Sequence, residues 1–190
     1  MGKLRKRLGA KVEELGGKLG RLGVRPVHLT LTGLVFSTLA LLLSFKGEIP
    51  TYTALLALSG LMDMLDGPVA RATGRATPLG AFLDSFIDRV SDVFLIVSFV
   101  NFGVDWGMVT ALVVVSLLIS YTRARAESLG VSLEGVGLIE RGERVVALFV
   151  SAVLLALNRV AGYMVLSLLL ALSVETVVHR VVHVAYKMKR

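Results

Sequence analysis

Long apolar stretches, broken by short charged segments, run from residue 26 almost to the end of the chain. Residues 26–45 and 106–122 carry no Asp, Glu, Lys or Arg, and each is close to the ~20 residues an α-helix needs to cross a bilayer. Four further stretches are bounded by charge: 49–62 ends at Asp63, 93–104 follows Asp92, and 145–158 and 160–174 are divided at Arg159. The pattern predicts an all-α membrane protein, with six transmembrane helices forming one domain over 26–190. Ahead of it, Leu4, Leu8, Val12, Leu15, Leu19 and Leu22 recur every three or four residues among lysines and arginines. That periodicity predicts a basic amphipathic helix over 1–25 lying in the membrane interface. Gly9, Gly16 and Gly17 weaken such a helix away from a membrane, and a disordered basic tail is the competing reading.

Composition agrees: 55% of residues are apolar and the mean hydropathy is +0.76, more than an ordinary soluble domain carries. The basic start runs into a glycine-rich stretch, not a short apolar core with a cleavage site, so the first span is expected to remain. A net charge of +7 raises nucleic acid as a partner, but its placement argues against one. Of 21 Lys and Arg, eight precede residue 26, three lie between 71 and 89, four between 123 and 144, and four from 180 onward. Only Lys46 and Arg159 fall in the alternate breaks. This is the positive-inside pattern, and it places both termini on the cytoplasmic side of a multi-pass protein of the cell membrane. The absence of cysteine removes disulfides and thiolate metal sites. Glutamine is absent too, and asparagine occurs only at 101 and 158, a bias seen in heat-adapted proteins.

The segment 62–92 breaks the apolar pattern with five aspartates and three arginines. Carboxylates at membrane depth are costly and persist where they meet cations or water-filled cavities. Asp63 and Asp66 are three apart, and Asp84, Asp88 and Asp92 are four apart, so each set shares a helix face. Gly74, Pro78 and Gly80 between them permit a turn that brings the two helices antiparallel. Four or five carboxylates then converge, and like charges so close demand compensation. An oxygen-only set with no His or Cys nearby suits Mg²⁺, Mn²⁺ or Ca²⁺, and four carboxylates can hold two such ions. Paired metals suit phosphoryl chemistry. Two alternatives stand beside this reading: a buried network in which Arg71, Arg75 and Arg89 neutralise the aspartates, and a proton- or cation-coupled carrier.

The offsets Asp63-x2-Asp66-Gly67-x2-Ala70-Arg71-x8-Gly80-x3-Asp84-x3-Asp88 resemble the signature of the CDP-alcohol phosphotransferase family. The family's six-span layout matches the apolar bands as well. The resemblance implies transfer of a substituted phosphate from a CDP-alcohol to a hydroxyl acceptor, with release of CMP. It implies Asp63, Asp66 and Asp84 as ligands of Mg²⁺ or Mn²⁺, two ions per site, with Asp88 as general base and further ligand. Gly67, Ala70, Arg71 and Gly80 would bind the CDP-lipid donor. A homodimer is also implied.

The acceptor is sought in "SYTRARAESLGV" and "GLIERGER". Arg123, Arg125, Arg141 and Arg144 fall on the expected cytoplasmic side, and guanidiniums match phosphate oxygens bidentately, which a free hydroxyl acceptor would not need. These segments, with "GAFLDS" and Arg180, resemble the subgroup that makes phosphatidylinositol phosphate, and its archaeal counterpart, from inositol 1-phosphate. CDP-diacylglycerol and CDP-archaeol are both admissible donors, and the missing Gln and Cys favour the latter. Glycerol-3-phosphate is the alternative acceptor. For the arginines the bland reading is charge anchoring, with pairs such as Arg123 and Glu127 one turn apart. For His179 and His183, also four apart, packing at headgroup level is preferred to chelation because no third ligand is visible.

Overall fold

The structure, a computed structural model, describes residues 2–189. The side chains of 2–9 and 11 lie outside the described residues, and with them Leu4 and Leu8 of the expected apolar stripe. Seven α-helices follow one another: α1 (Gly2–Arg21), α2 (Pro26–Ser44), α3 (Ile49–Thr73), α4 (Pro78–Val97), α5 (Trp106–Ser128), α6 (Arg141–Leu157) and α7 (Arg159–Met188), with a 3-10 turn, Ser98–Phe102, between α4 and α5. No strand occurs among the described residues. Helices α2, α5 and α7 are long and apolar enough to cross a membrane by length and composition.

Helix ends are written in the sequence. Pro26, Pro50 and Pro78 stand in the first turns of α2, α3 and α4, where a missing N–H costs nothing. Helix α3 stops at Gly74, whose left-handed backbone (φ +63°) lets its N–H close on the carbonyls of Ala70 and Arg71. Three residues later Thr77 caps α4 by accepting from the Gly80 N–H at 3.0 Å. This tight reversal sets α3 and α4 antiparallel with their carboxylates facing. Asp105 caps α5, Glu140 and Glu143 form a capping box on α6, and Asn158 caps α7.

The packing is apolar outside, and small polar residues stand among the apolar ones inside. Leu31, Val35, Leu42, Leu118, Val153 and Leu168 are exposed, whereas Ser37, Ser44, Ser59, Ser98, Ser151 and Ser173 are buried between helices. Small residues let helices approach closely in lipid; Ser37 bonds Ser91 at 3.1 Å and Ser59 donates to the Gly33 carbonyl at 3.0 Å across interfaces, while Ser98 and Ser151 donate to carbonyls one turn back. Away from the carboxylates, Tyr52, Phe99 and Phe102 pack edge to face, with centroids 5.0 to 6.2 Å apart. The Tyr52 hydroxyl donates to the Leu95 carbonyl at 2.7 Å. At that same end Asn101 bonds Ser44, and Arg159 donates to the Phe102 carbonyl. The breaks expected to face away from the cytoplasm therefore meet.

Two features were not foreseen. Helix α1 does not stand apart from the bundle, because Val12 and Leu19 pack with Leu65 and Val69 of α3, while Leu15 and Leu22 are left exposed. The segment 129–140 is tied down by α7: Thr176 Oγ1 accepts from the N–H groups of Leu138 and Ile139, both at 3.1 Å, and Arg180 donates to the carbonyls of Val136 and Ile119.

Candidate active site

The last turns of α3 and the first turns of α4 bring one carboxylate oxygen each of Asp63, Asp66 and Asp84 within 4.8 Å of one another. Asp66 is buried and accepts from Thr30 Oγ1 of α2 at 3.1 Å. Asp84 Oδ1 is buried with no hydrogen-bond partner. A buried acceptor oxygen of this kind is costly unless a cation meets it. With an all-oxygen donor set beside it, the three residues fit a hard divalent metal.

The other two aspartates are held by arginines of α6. Arg141 Nη1 pairs with Asp63 and, at 3.1 Å, with Asp88, while its Nε donates to Asp92 at 3.2 Å. Arg144 Nη2 donates to the second Asp92 oxygen at 2.9 Å. Asp92 and Arg144 are each 5% exposed. Five carboxylates against these two guanidiniums and Arg89 leave two negative charges, which suits a divalent cation and not a closed salt-bridge network. The sequence had offered Arg71, Arg75 and Arg89 as neutralising partners. Only Arg89 approaches, at 3.6 Å from Asp88, and Arg71 turns to Glu13.

Above the carboxylates opens a cavity of about 410 Å³. Gly67, Ala70, Arg71 and Gly80, the residues expected to bind donor, all line it, with Asp66 and Asp84. Arg25, Thr30 and Thr77 line it too and were not singled out from sequence, and Arg75, expected to neutralise aspartates, lines it as well. Thr77 was findable, since a threonine directly before proline at a helix start is a cap signal; Thr30 and Arg25 carried no signal. A smaller, deeper pocket is bordered by Thr30, Asp63, Asp66, Asp88, Ser91 and Arg141. Asp66 and Thr30 thus divide the two spaces.

The five arginines expected at an acceptor phosphate do not form one cluster. Arg141 borders the deep pocket, and Arg144 lies behind it on Asp92. Arg180 is 2% exposed and bonded to the backbone carbonyls of Val136 and Ile119. Arg123 pairs with Glu127 at 2.9 Å, and Arg125 meets Ser128. His179 is exposed beside Glu175, with no third ligand among the described residues.

The profile of the CDP-alcohol phosphatidyltransferase family matches residues 24–181. The chain belongs to this family. It is therefore an enzyme of the CDP-alcohol phosphotransferase type, and a membrane protein. Archaetidylinositol phosphate synthase of Pyrococcus horikoshii is 34% identical over 153 residues, covering 80% of this chain and 81% of that one. The crystal structure of Mycobacterium tuberculosis phosphatidylinositol phosphate synthase with CDP-DAG bound superposes with a TM-score of 0.78 at 32% identity, covering 91% of this chain and 92% of the other. The same enzyme in complex with manganese and citrate gives a TM-score of 0.78 at 32% identity, covering 91% and 88%. In this CDP-alcohol phosphatidyltransferase Asp66 and Asp84 line the cavity of about 410 Å³, and Asp63 stands beside them.

Proposed function

We propose that the chain transfers a phosphatidyl or archaetidyl group from CDP-diacylglycerol or CDP-archaeol to inositol 1-phosphate, releasing CMP. The observation that carries it is the cavity of about 410 Å³ floored by Asp66 and Asp84, with Asp88 and Arg141 paired just beyond Asp66. The relatives named for inositol phosphate lipids, and the neighbour that holds CDP-DAG, support it.

Gly67, Ala70 and Gly80 give the nucleotide close access to backbone, and Arg71 binds the donor's phosphates. Asp63, Asp66 and Asp84 would hold Mg²⁺ or Mn²⁺, with Asp88 a further ligand where two ions bind, a reading supported by the neighbour's complex with manganese. When bound, such a metal supplies positive charge to the phosphate oxygens and the leaving CMP. Asp88 takes the proton of the acceptor hydroxyl as its oxygen forms a bond to the lipid-bearing phosphorus. The bond from that phosphorus to CMP breaks, and CMP carries the charge away. Arg141 meets the acceptor's phosphate, while Arg123, Arg125, Arg144 and Arg180, held by other partners, add positive charge only from farther off.

In this reading α2 to α7 are six spans of a domain over 26–190, and α1 is an interfacial helix whose basic residues rest on anionic headgroups. The positive-inside distribution puts the termini and the site at the cytoplasmic face, and the enzyme works as a homodimer.

The test is CMP release from either CDP-lipid by the purified protein, with inositol 1-phosphate, inositol or glycerol-3-phosphate as acceptor. Inositol 1-phosphate should support turnover and inositol should not. Faster release with glycerol-3-phosphate would overturn the acceptor and leave the chemistry standing.

A further inference from the structure

Arg71, in the lining of the donor cavity, is gripped from outside the bundle. Its Nη2 donates to Glu13 Oε1 of α1 at 2.5 Å, across 58 residues of chain. Its Nη1 lies 3.4 Å from where a Cβ would stand on Gly67. The guanidinium is thus laid across the bare backbone of Gly67, one turn before it, and fixed at its far nitrogen by a carboxylate. Both partners are more than half exposed, so the pair contributes little to stability. What it sets is direction.

Helix α1 is held in the register this contact needs. Glu13, Gly16 and Gly20 follow at three and four residues and share a face. A Cβ on Gly16 would stand 2.6 Å from Pro68 Cβ and 2.9 Å from the Pro68 carbonyl carbon, and one on Gly20 would stand 2.6 Å from Thr73 Cγ2. Backbone therefore meets α3 directly, with Val12 and Leu19 beside the seam against Leu65 and Val69. An interfacial anchor alone would not need glycines at these two points.

We propose that Glu13 is a positioning residue for the donor: through Arg71 it makes α1 part of the CDP-lipid site. The inference rests on reading Arg71 as a ligand of the donor's phosphates. An arginine closing on a phosphate gives up rotamer freedom, and a side chain already held at one nitrogen has less to lose. Nε and Nη1 remain to donate to phosphate oxygens, each from its own edge of the guanidinium.

Steady-state kinetics with CDP-diacylglycerol as the varied substrate test it. Glu13→Gln should raise the donor KM about two- to five-fold, the scale of one exposed charged contact, with the acceptor KM unchanged. Glu13→Asp should recover part of the loss, and in an Arg71→Ala background Glu13→Gln should add nothing. If Arg71→Ala raises the donor KM while Glu13→Gln leaves it unchanged or lowers it, Glu13 does not position Arg71. An equal rise from Glu13→Gln with and without Arg71 would assign it to the fold alone and overturn the inference. If Arg71→Ala itself leaves the donor KM untouched, the reading of Arg71 falls first, and the inference with it.

Discussion

Asp88 and Asp92 stand one helical turn apart on α4, and their neighbours give them different work. Asp92 meets only protein: Arg141, Arg144 and, at 3.5 Å, Ser116. Removing one partner of a buried ion pair strands the other, at a cost of about 3 to 5 kcal/mol. Asp92→Asn should therefore lower the unfolding temperature in detergent markedly, with Arg144 left 5% exposed and half-paired. A wild-type melting curve for that variant would contradict the role given to Asp92. Asp88 borders the deep pocket and lies outside the group of three carboxylates. Asp88→Asn should retain Mn²⁺ and CDP-lipid binding, measured by calorimetry, while kcat falls about 10² to 10⁴-fold, as loss of a general base should. Loss of Mn²⁺ binding would instead make Asp88 chiefly a ligand.

Between elements, what the sequence disclosed was local and what it hid was distant. The α3–α4 hairpin was legible because Gly74, Thr77 and Pro78 and the three- and four-residue aspartate spacings all act within a few turns. The cavity lining Gly67, Ala70, Arg71 and Gly80 came only with the family resemblance that the same segment carries. The partners of the aspartates were not legible, since Arg141 and Arg144 reach Asp92 from 49 and 52 residues away, and nothing in the spacing of "ERGER" says which helix it will meet. Glu13 was hidden for the same reason, and Val12 and Leu19 read as membrane-facing when they pack on α3. The 129–140 connection is a further case. At Gly137 the backbone has φ +110°, and a Cβ would stand 2.5 Å from Thr176 Cγ2. Gly137→Ala should destabilise the protein by about 1 to 3 kcal/mol through strain at a position other residues rarely adopt. Thermal unfolding checks the loss, and unchanged stability would mean that α7 does not clamp this segment.

At the scale of the whole molecule, the bundle presents Leu and Val outward and gathers its charge at one end, where the carboxylates sit under a cavity. A structural salt-bridge network would need enough guanidiniums to balance five aspartates, and Arg89, Arg141 and Arg144 do not supply them. A carrier would use carboxylates along its path without a nucleotide-sized cavity beside them. The account thus stands on metal-dependent transfer at Asp63, Asp66 and Asp84. Its most direct test is CMP release from CDP-lipid in the presence of inositol 1-phosphate, followed as metal is stripped with EDTA and then returned. Turnover should vanish in the chelator and come back with Mg²⁺ or Mn²⁺; full CMP release in excess EDTA after dialysis, or cation-dependent uptake into vesicles with no CMP released, would contradict it.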